Sequence, residues 1–134
     1  MPAVLGYVCE APCEKACRRG RQDQTVSIKS EHRYIAEKDL QSDSPQLIKG
    51  DATGKSVAVI GSGPAGLTLA YYLRKKGYNI TIFEALEKTG GMLRTGIPDY
   101  RLPPALLDAE IDNIISKGIE LKISCALGRD FTIA

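Results

Sequence analysis

Val57-Ala58-Val59-Ile60-Gly61-Ser62-Gly63-Pro64-Ala65-Gly66-Leu67 is the stretch whose reading settles the fold class. Its first four residues are apolar without a polar alternation, the composition of a parallel strand covered on both faces. The next six are a Gly-rich turn, and Leu67, Ala70 and Leu73 then recur at helical spacing. Arg74-Lys75-Lys76-Gly77 closes that helix with cations and a glycine, where the helix dipole and the C-terminal cap favour them. A second strand follows from Asn79 to Glu84. Strand, Gly-rich turn, helix and strand make a βαβ unit, so the chain is expected to be α/β and Rossmann-like.

The turn carries the chemistry. Gly61 permits the tight exit from the strand, Gly63 lets backbone approach a pyrophosphate, and Gly66 lets helix pack on strand. The N–H groups that open the helix then face the phosphates. Ser62, Pro64 and Ala65 complete the loop, and Glu84 stands 23 positions after Gly61, where an acid can take the ribose hydroxyls of a dinucleotide. An acid there repels the 2′-phosphate of NADP, which leaves NAD or FAD for this site.

Farther along, a helix is expected from Pro103-Pro104, burying Leu107, Ile111 and Ile114 and stopping at Gly118. After it Ile119, Leu121, Ile123 and Cys125 alternate with polar residues as in a strand, which puts Cys125 in the core. Toward the N-terminus the organisation changes at about residue 50. Residues 42–54 hold Ser42-Asp43-Ser44-Pro45 and Lys49 to Gly54, turn formers that read as a linker. Before it lies a helix from Ser27 to Gln41 with Ile28 and Ile35 on one face, and before that Cys9, Cys13 and Cys17. Spaced by four, these thiols are expected on nearly one face of a helix. Three cysteines within nine residues suit a metal rather than a disulfide framework.

Composition narrows the classes. The 134 residues are 43% hydrophobic, and 18 basic residues against 16 acidic ones leave a net charge of +2, which gives no electrostatic case for nucleic acid. No apolar run approaches the roughly 20 residues that span a bilayer, so a soluble, cytoplasmic protein is expected, with no membrane or nucleic-acid partner. Asn79-Ile80-Thr81 lies in a strand and reads as a chance glycosylation triplet.

Val57 to Pro103, with Phe83-Glu84, Gly90-Gly91-Met92-Leu93 and Gly96-Ile97-Pro98-Asp99-Tyr100-Arg101-Leu102-Pro103, is similar to the small (beta) subunit family of NADPH-dependent glutamate synthase. Dihydropyrimidine dehydrogenase and the NADPH–ferredoxin transhydrogenase flavin subunits are relatives of that family. Val8 to Cys17, followed by Val26-Ser27-Ile28-Lys29-Ser30, resembles the second half of the family's N-terminal iron–sulfur domain. The resemblance implies three parts: residues 1–41 from a helical iron–sulfur (4Fe-4S) domain, 42–54 a linker, and 55–134 the first half of an FAD-binding Rossmann-like domain. It also implies FAD rather than NAD, because the Gly90-Gly91 pair past the ribose acid is similar to the second fingerprint of two-dinucleotide flavoproteins.

Carried over residue by residue, the resemblance assigns Gly61 to Ala65 to the pyrophosphate, Glu84 to the ribose, and Gly91, Met92 and Arg101 to the cofactor, with Leu127 near the adenine. Cys9, Cys13 and Cys17 become cluster ligands, and His32 occupies the fourth position. Three Cys and a His are also an accepted zinc set, the other metal to weigh, while the resemblance favours iron–sulfur. The family continues into an NADPH-binding domain and pairs with a large catalytic subunit or another electron acceptor. Neither that domain nor an earlier cysteine-rich half is in these 134 residues, so a stretch of a longer chain, without turnover of its own, is expected. A flavin-binding relay or regulatory module, and a zinc-stapled NAD-binding protein, are the other readings.

Overall fold

The computed structural model describes residues 1–42 and 50–133. Three strands, β1 (Ser56–Ile60), β2 (Asn79–Phe83) and β3 (Glu120–Lys122), form one parallel sheet in the order β1-β2-β3. Val59 stands opposite Ile82, and Ile82 opposite Leu121, so alternate residues bring one apolar row to a single face. Against that row pack α4 (Pro64–Lys75) and α6 (Pro104–Ile115) through Leu67, Ala70, Leu107, Ile111 and Ile114. The expected α/β architecture and the βαβ unit are both present.

The other face differs from the reading of β1 as a strand covered on both sides. Ala58 is exposed and Ile60 is 50% exposed. The four-residue apolar run therefore has a covering layer on one face only among the described residues, beyond the contact of Phe131 with Phe83 at 4.5 Å between ring centroids.

The alternation after α6 also ends early. β3 stops at Lys122 because Ser124 takes a left-handed conformation (φ 52°) and turns the chain across the end of β2, where Cys125 N–H donates to the Glu84 carbonyl. Ile123 is thereby exposed and Cys125 is half-buried rather than in the core.

The N-terminal part comprises α1 (Pro2–Val8), α2 (Pro12–Lys15), a 3-10 turn at Arg18–Arg21 and α3 (Ile28–Gln41). α3 matches the expected helix, but its buried residue is Ala36, while Ile35 is 65% exposed. The reason is the crossing of α1 over α3, which uses Gly6 against the Arg33 backbone instead of the isoleucine stripe. Val4 joins the main core, and the buried Glu110 of α6 accepts a hydrogen bond from Ala3 N–H at 2.6 Å, so α1 is docked on the α/β unit.

Of the expected linker, residues 43–49 lie outside the described residues. Residues 50–55 are not a free tether. Gly50 N–H donates to the Lys75 carbonyl at 2.8 Å, Thr53 N–H to Gly77 at 3.1 Å, and Asn79 N–H to Lys55 at 2.9 Å. Gly77 allows this approach through its positive φ (88°), since a Cβ there would lie 2.0 Å from the Asp51 carbonyl oxygen.

Candidate functional site

The site is built at the carboxyl ends of β1 and β2. Gly61 leaves β1 with φ 90° and donates its N–H to the Phe83 carbonyl at 2.8 Å, tying the turn to β2. A Cβ on Gly61 or Gly63 would meet nothing within 4 Å, so the turn borders open space. Gly66 is the opposite case: a Cβ there would lie 2.0 Å from the Gly61 carbonyl oxygen, so only glycine lets α4 start this close to the turn. Gly63 is the N-cap of α4, no side chain caps that helix, and no acid stands in its first turn. The first amides of α4 are left without a side-chain cap beside the glycines, the arrangement that suits a phosphate.

Glu84 follows β2 and is 6% exposed. Its Oε2 accepts from Ser62 N–H at 2.8 Å and from Ser62 Oγ at 2.5 Å, and its Oε1 accepts from Leu86 N–H at 2.9 Å. Burial pushes the carboxyl pKa up, but the bonds from the Ser62 hydroxyl and the Leu86, Ser62 and Ala85 amides outweigh it and hold the group below the usual carboxylate value. The second glycine loop closes on the first. Gly90 N–H donates to the Ser62 carbonyl at 3.1 Å and reaches Ser62 Oγ at 3.3 Å. Gly91 (φ 51°) lies so near that a Cβ would be 2.9 Å from Gly63 Cα. Six residues expected at the cofactor, Gly61, Ser62, Gly63, Gly66, Glu84 and Gly91, are thus one assembly.

The remaining expected contacts are arranged more loosely. Pro64 and Ala65 are exposed in the first turn of α4, and Met92 opens the one-turn helix α5 (Met92–Thr95) with 70% of its surface free. Arg101 donates to Glu10 at 2.6 Å in an exposed ion pair beside the cysteine segment. Leu127 forms an isolated bridge with Phe131. Two residues outside the expected set matter to the site's frame. Arg94 donates Nε to the Thr89 carbonyl at 2.6 Å and pairs with Asp108, pinning the second glycine loop to α6. Glu110 fixes α1. Both act on partners at least five positions away, and no local pattern marks them.

The cysteines do not share one helix face. α1 ends at Val8, Ala11 is left-handed (φ 48°), and Pro12 starts a new short helix, because proline cannot continue the preceding one. Cys9 therefore caps α1, Cys13 is exposed on α2, and Cys17 precedes the 3-10 turn, while His32 is exposed on α3. Among the described residues no three His, Cys, Asp or Glu side chains are gathered to hold a metal ion, so the set Cys9, Cys13, Cys17 and His32 does not form a centre in this arrangement. Two sulfurs nevertheless accept amide bonds. Ala11 N–H donates to Cys9 Sγ at 3.4 Å, and the backbone at Val26, then Arg19 and Gly20, holds the Cys17 thiol below its ordinary pKa.

A family model described as an NAD(P)-binding Rossmann-like domain matches residues 59–108. The chain is 39% identical, over 99% of its length, to the NADP(+)-dependent formate dehydrogenase subunit beta of Moorella thermoacetica. It is 40% identical over 99% of its length to the NADPH-Fe(3+) oxidoreductase subunit beta of Geobacter sulfurreducens, and 38% identical over 98% to the glutamate synthase [NADPH] small chain of Bacillus subtilis. These homologues are of the kind the sequence resembles. The chain spans 22%, 20% and 27% of their respective lengths.

Proposed function

We propose that this chain is the part of an NAD(P)H-dependent oxidoreductase subunit that holds the ADP half of FAD. One observation carries the reading: the two glycine loops and a buried carboxylate are locked together at the N-terminus of α4, over a turn with open space in front of it. The helix end and Gly61–Ala65 would take the pyrophosphate, and the Glu84 carboxylate the ribose hydroxyls. The same carboxylate disfavours a 2′-phosphate, so NADPH is assigned to a domain outside this chain. Exposed ion pairs contribute under about 1 kcal/mol, so Arg101 can exchange Glu10 for a diphosphate at small cost.

When bound, FAD supplies the conversion between a two-electron hydride and single electrons. The chain's own residues bind and orient it, and none of those described forms an acid–base pair for a substrate. Transfer to a large subunit or another acceptor protein is the partner role that the relatives' designation as subunits supports.

For the cysteine segment the reading is narrower. From Cys9 to Lys29 no residue is buried, so this stretch has no core of its own, a condition that a metal or cluster staple would relieve. An iron–sulfur cluster on Cys9, Cys13, Cys17 and His32 would need those side chains to be drawn together from the arrangement described, and no step is routed through it.

Purified full-length protein tests both parts. Flavin absorption, FAD released on denaturation, and iron with acid-labile sulfide are the expected results. Glu84→Ala is expected to lower FAD content several-fold. A colourless, zinc-loaded protein would overturn the reading in favour of an NAD-binding one.

A further inference from the structure

We infer that Ser62 is a positioning residue for ribose recognition: its hydroxyl and amide fix the plane of the Glu84 carboxylate and so the direction of the acceptor that it presents to the cofactor ribose. The inference rests on the dinucleotide reading above and concerns how that site discriminates.

The middle position of a Gly-x-Gly turn needs only a small side chain, and nothing in the turn's backbone calls for a hydroxyl. Ser62 is nonetheless fully buried, at 0% exposure, where a hydroxyl is costly unless partnered. It is partnered twice: Oγ reaches Glu84 Oε2 at 2.5 Å and is approached by Gly90 N–H at 3.3 Å. With the Ser62 amide on the same Oε2, the Leu86 amide on Oε1 and the Ala85 amide also bonded to the carboxylate, protein donors engage both oxygens of a group that offers about four acceptor positions. The carboxylate is held by these donors before any ligand arrives, so the acceptor face that it presents has a fixed direction. A ribose hydroxyl is a single donor that such an acceptor can select. Without the Ser62 hydroxyl, Oε2 keeps one partner, Gly90 loses its side-chain contact, and the carboxylate gains rotational freedom that the ligand must then remove.

The experiment measures binding of ADP, 2′-deoxy-ADP and 3′-deoxy-ADP to full-length protein freed of bound dinucleotide. Wild type is expected to prefer ADP over at least one deoxy analogue by about tenfold or more, as a hydrogen bond to a charged acceptor gives. In Ser62→Ala that preference should shrink to within about twofold, while affinity for the deoxy analogue stays near the wild-type value. A purely structural role would weaken ADP and the deoxy analogue equally; that result, or an unchanged preference, overturns the inference. Ser62→Cys, which fills the same space with a weaker donor, should fall between, and it serves if the alanine variant does not fold. Glu84→Gln separates the two levels. If it abolishes the preference and Ser62→Ala does not, only the inference fails. If wild type shows no preference or no ADP binding, the dinucleotide reading fails with it.

Discussion

Gly66 and Glu84 show how single residues commit this chain to its site. The hydrogen at Gly66 in place of a methyl is what lets the first turn of α4 sit against the Gly61 carbonyl, so the helix end opens directly at the glycine turn. Glu84 works by its hydrogen bonds. Its folded pKa lies below the ordinary value, so the unfolded chain takes up that proton first as the pH falls. The stabilisation is therefore present near neutral pH and is lost as the pH drops below about 4.5 through the lowered native value. Acid titration of stability, followed by circular dichroism, should show this fall, and Glu84→Gln should flatten it. An unchanged acid limb in the variant would mean that the surface carboxylates dominate. Asp23, Glu37, Glu120 and Asp130 are also lowered, each first by a side-chain bond, from Arg19, Tyr7, Thr81 and Arg129 respectively. They bound the size of the Glu84 effect.

Among the elements, α1 and α3 meet through glycine. A Cβ on Gly6 would lie 2.7 Å from both Cα and Cβ of Arg33, and the crossing is reinforced by Arg33 over the Tyr7 ring at 3.8 Å and by the Tyr7 hydroxyl donating to Glu37 at 2.7 Å. Glu37 holds the Tyr7 phenol pKa up, chiefly by accepting that bond. Gly6→Ala should overpack the contact and cost about 1–3 kcal/mol, read as a lower thermal midpoint. A neutral result would show that the two helices can slide apart. The helical spacing of the cysteines misleads at the same scale. Spacing by four implies one face only inside a continuous helix, and Pro12 with left-handed Ala11 divides this one. Similarly, the isoleucines of α3 have helical spacing, yet the close approach at Gly6 selects a different face to bury.

Over the whole molecule, the cysteine segment and the α/β unit are joined by more than the chain between them. Glu110, buried on α6, accepts from Ala3 N–H, and Arg101 pairs with Glu10 across the same boundary. The buried bond is the stronger tie, since the exposed pair is screened by solvent. Glu110→Ala should cost about 1–3 kcal/mol and speed amide hydrogen exchange in α1, with protection in β1, α4 and β2 retained. Uniform loss of protection would show instead that the two parts unfold as one. The sheet is a further whole-molecule feature: Ala58 and Ile60 are strand residues without a covering layer among the described residues, although their composition is that of a covered strand. Among the described residues no helix is long and apolar enough to cross a membrane.

The sequence by itself determined the βαβ unit, the positions of the three glycines, and the acid at the end of the second strand. These depend on local conformation and on fixed spacings, which any chain of this pattern must satisfy. It also located α3 to within a residue and the start of α6, whose last turn ends at Ile115, three residues before the expected stop at Gly118. Only the tertiary structure decided which face of β1 is covered, that residues 50–55 dock on the end of α4, and that Ser62 closes on Glu84 and Gly90. Those outcomes depend on contacts between residues 22 to 28 positions apart, or on layers supplied from elsewhere in the fold, and no local periodicity encodes them. The cysteines stand between the two cases: their thiols are legible as a cluster in sequence, but whether they meet is set by how the turns at Ala11 and Cys17 are drawn together.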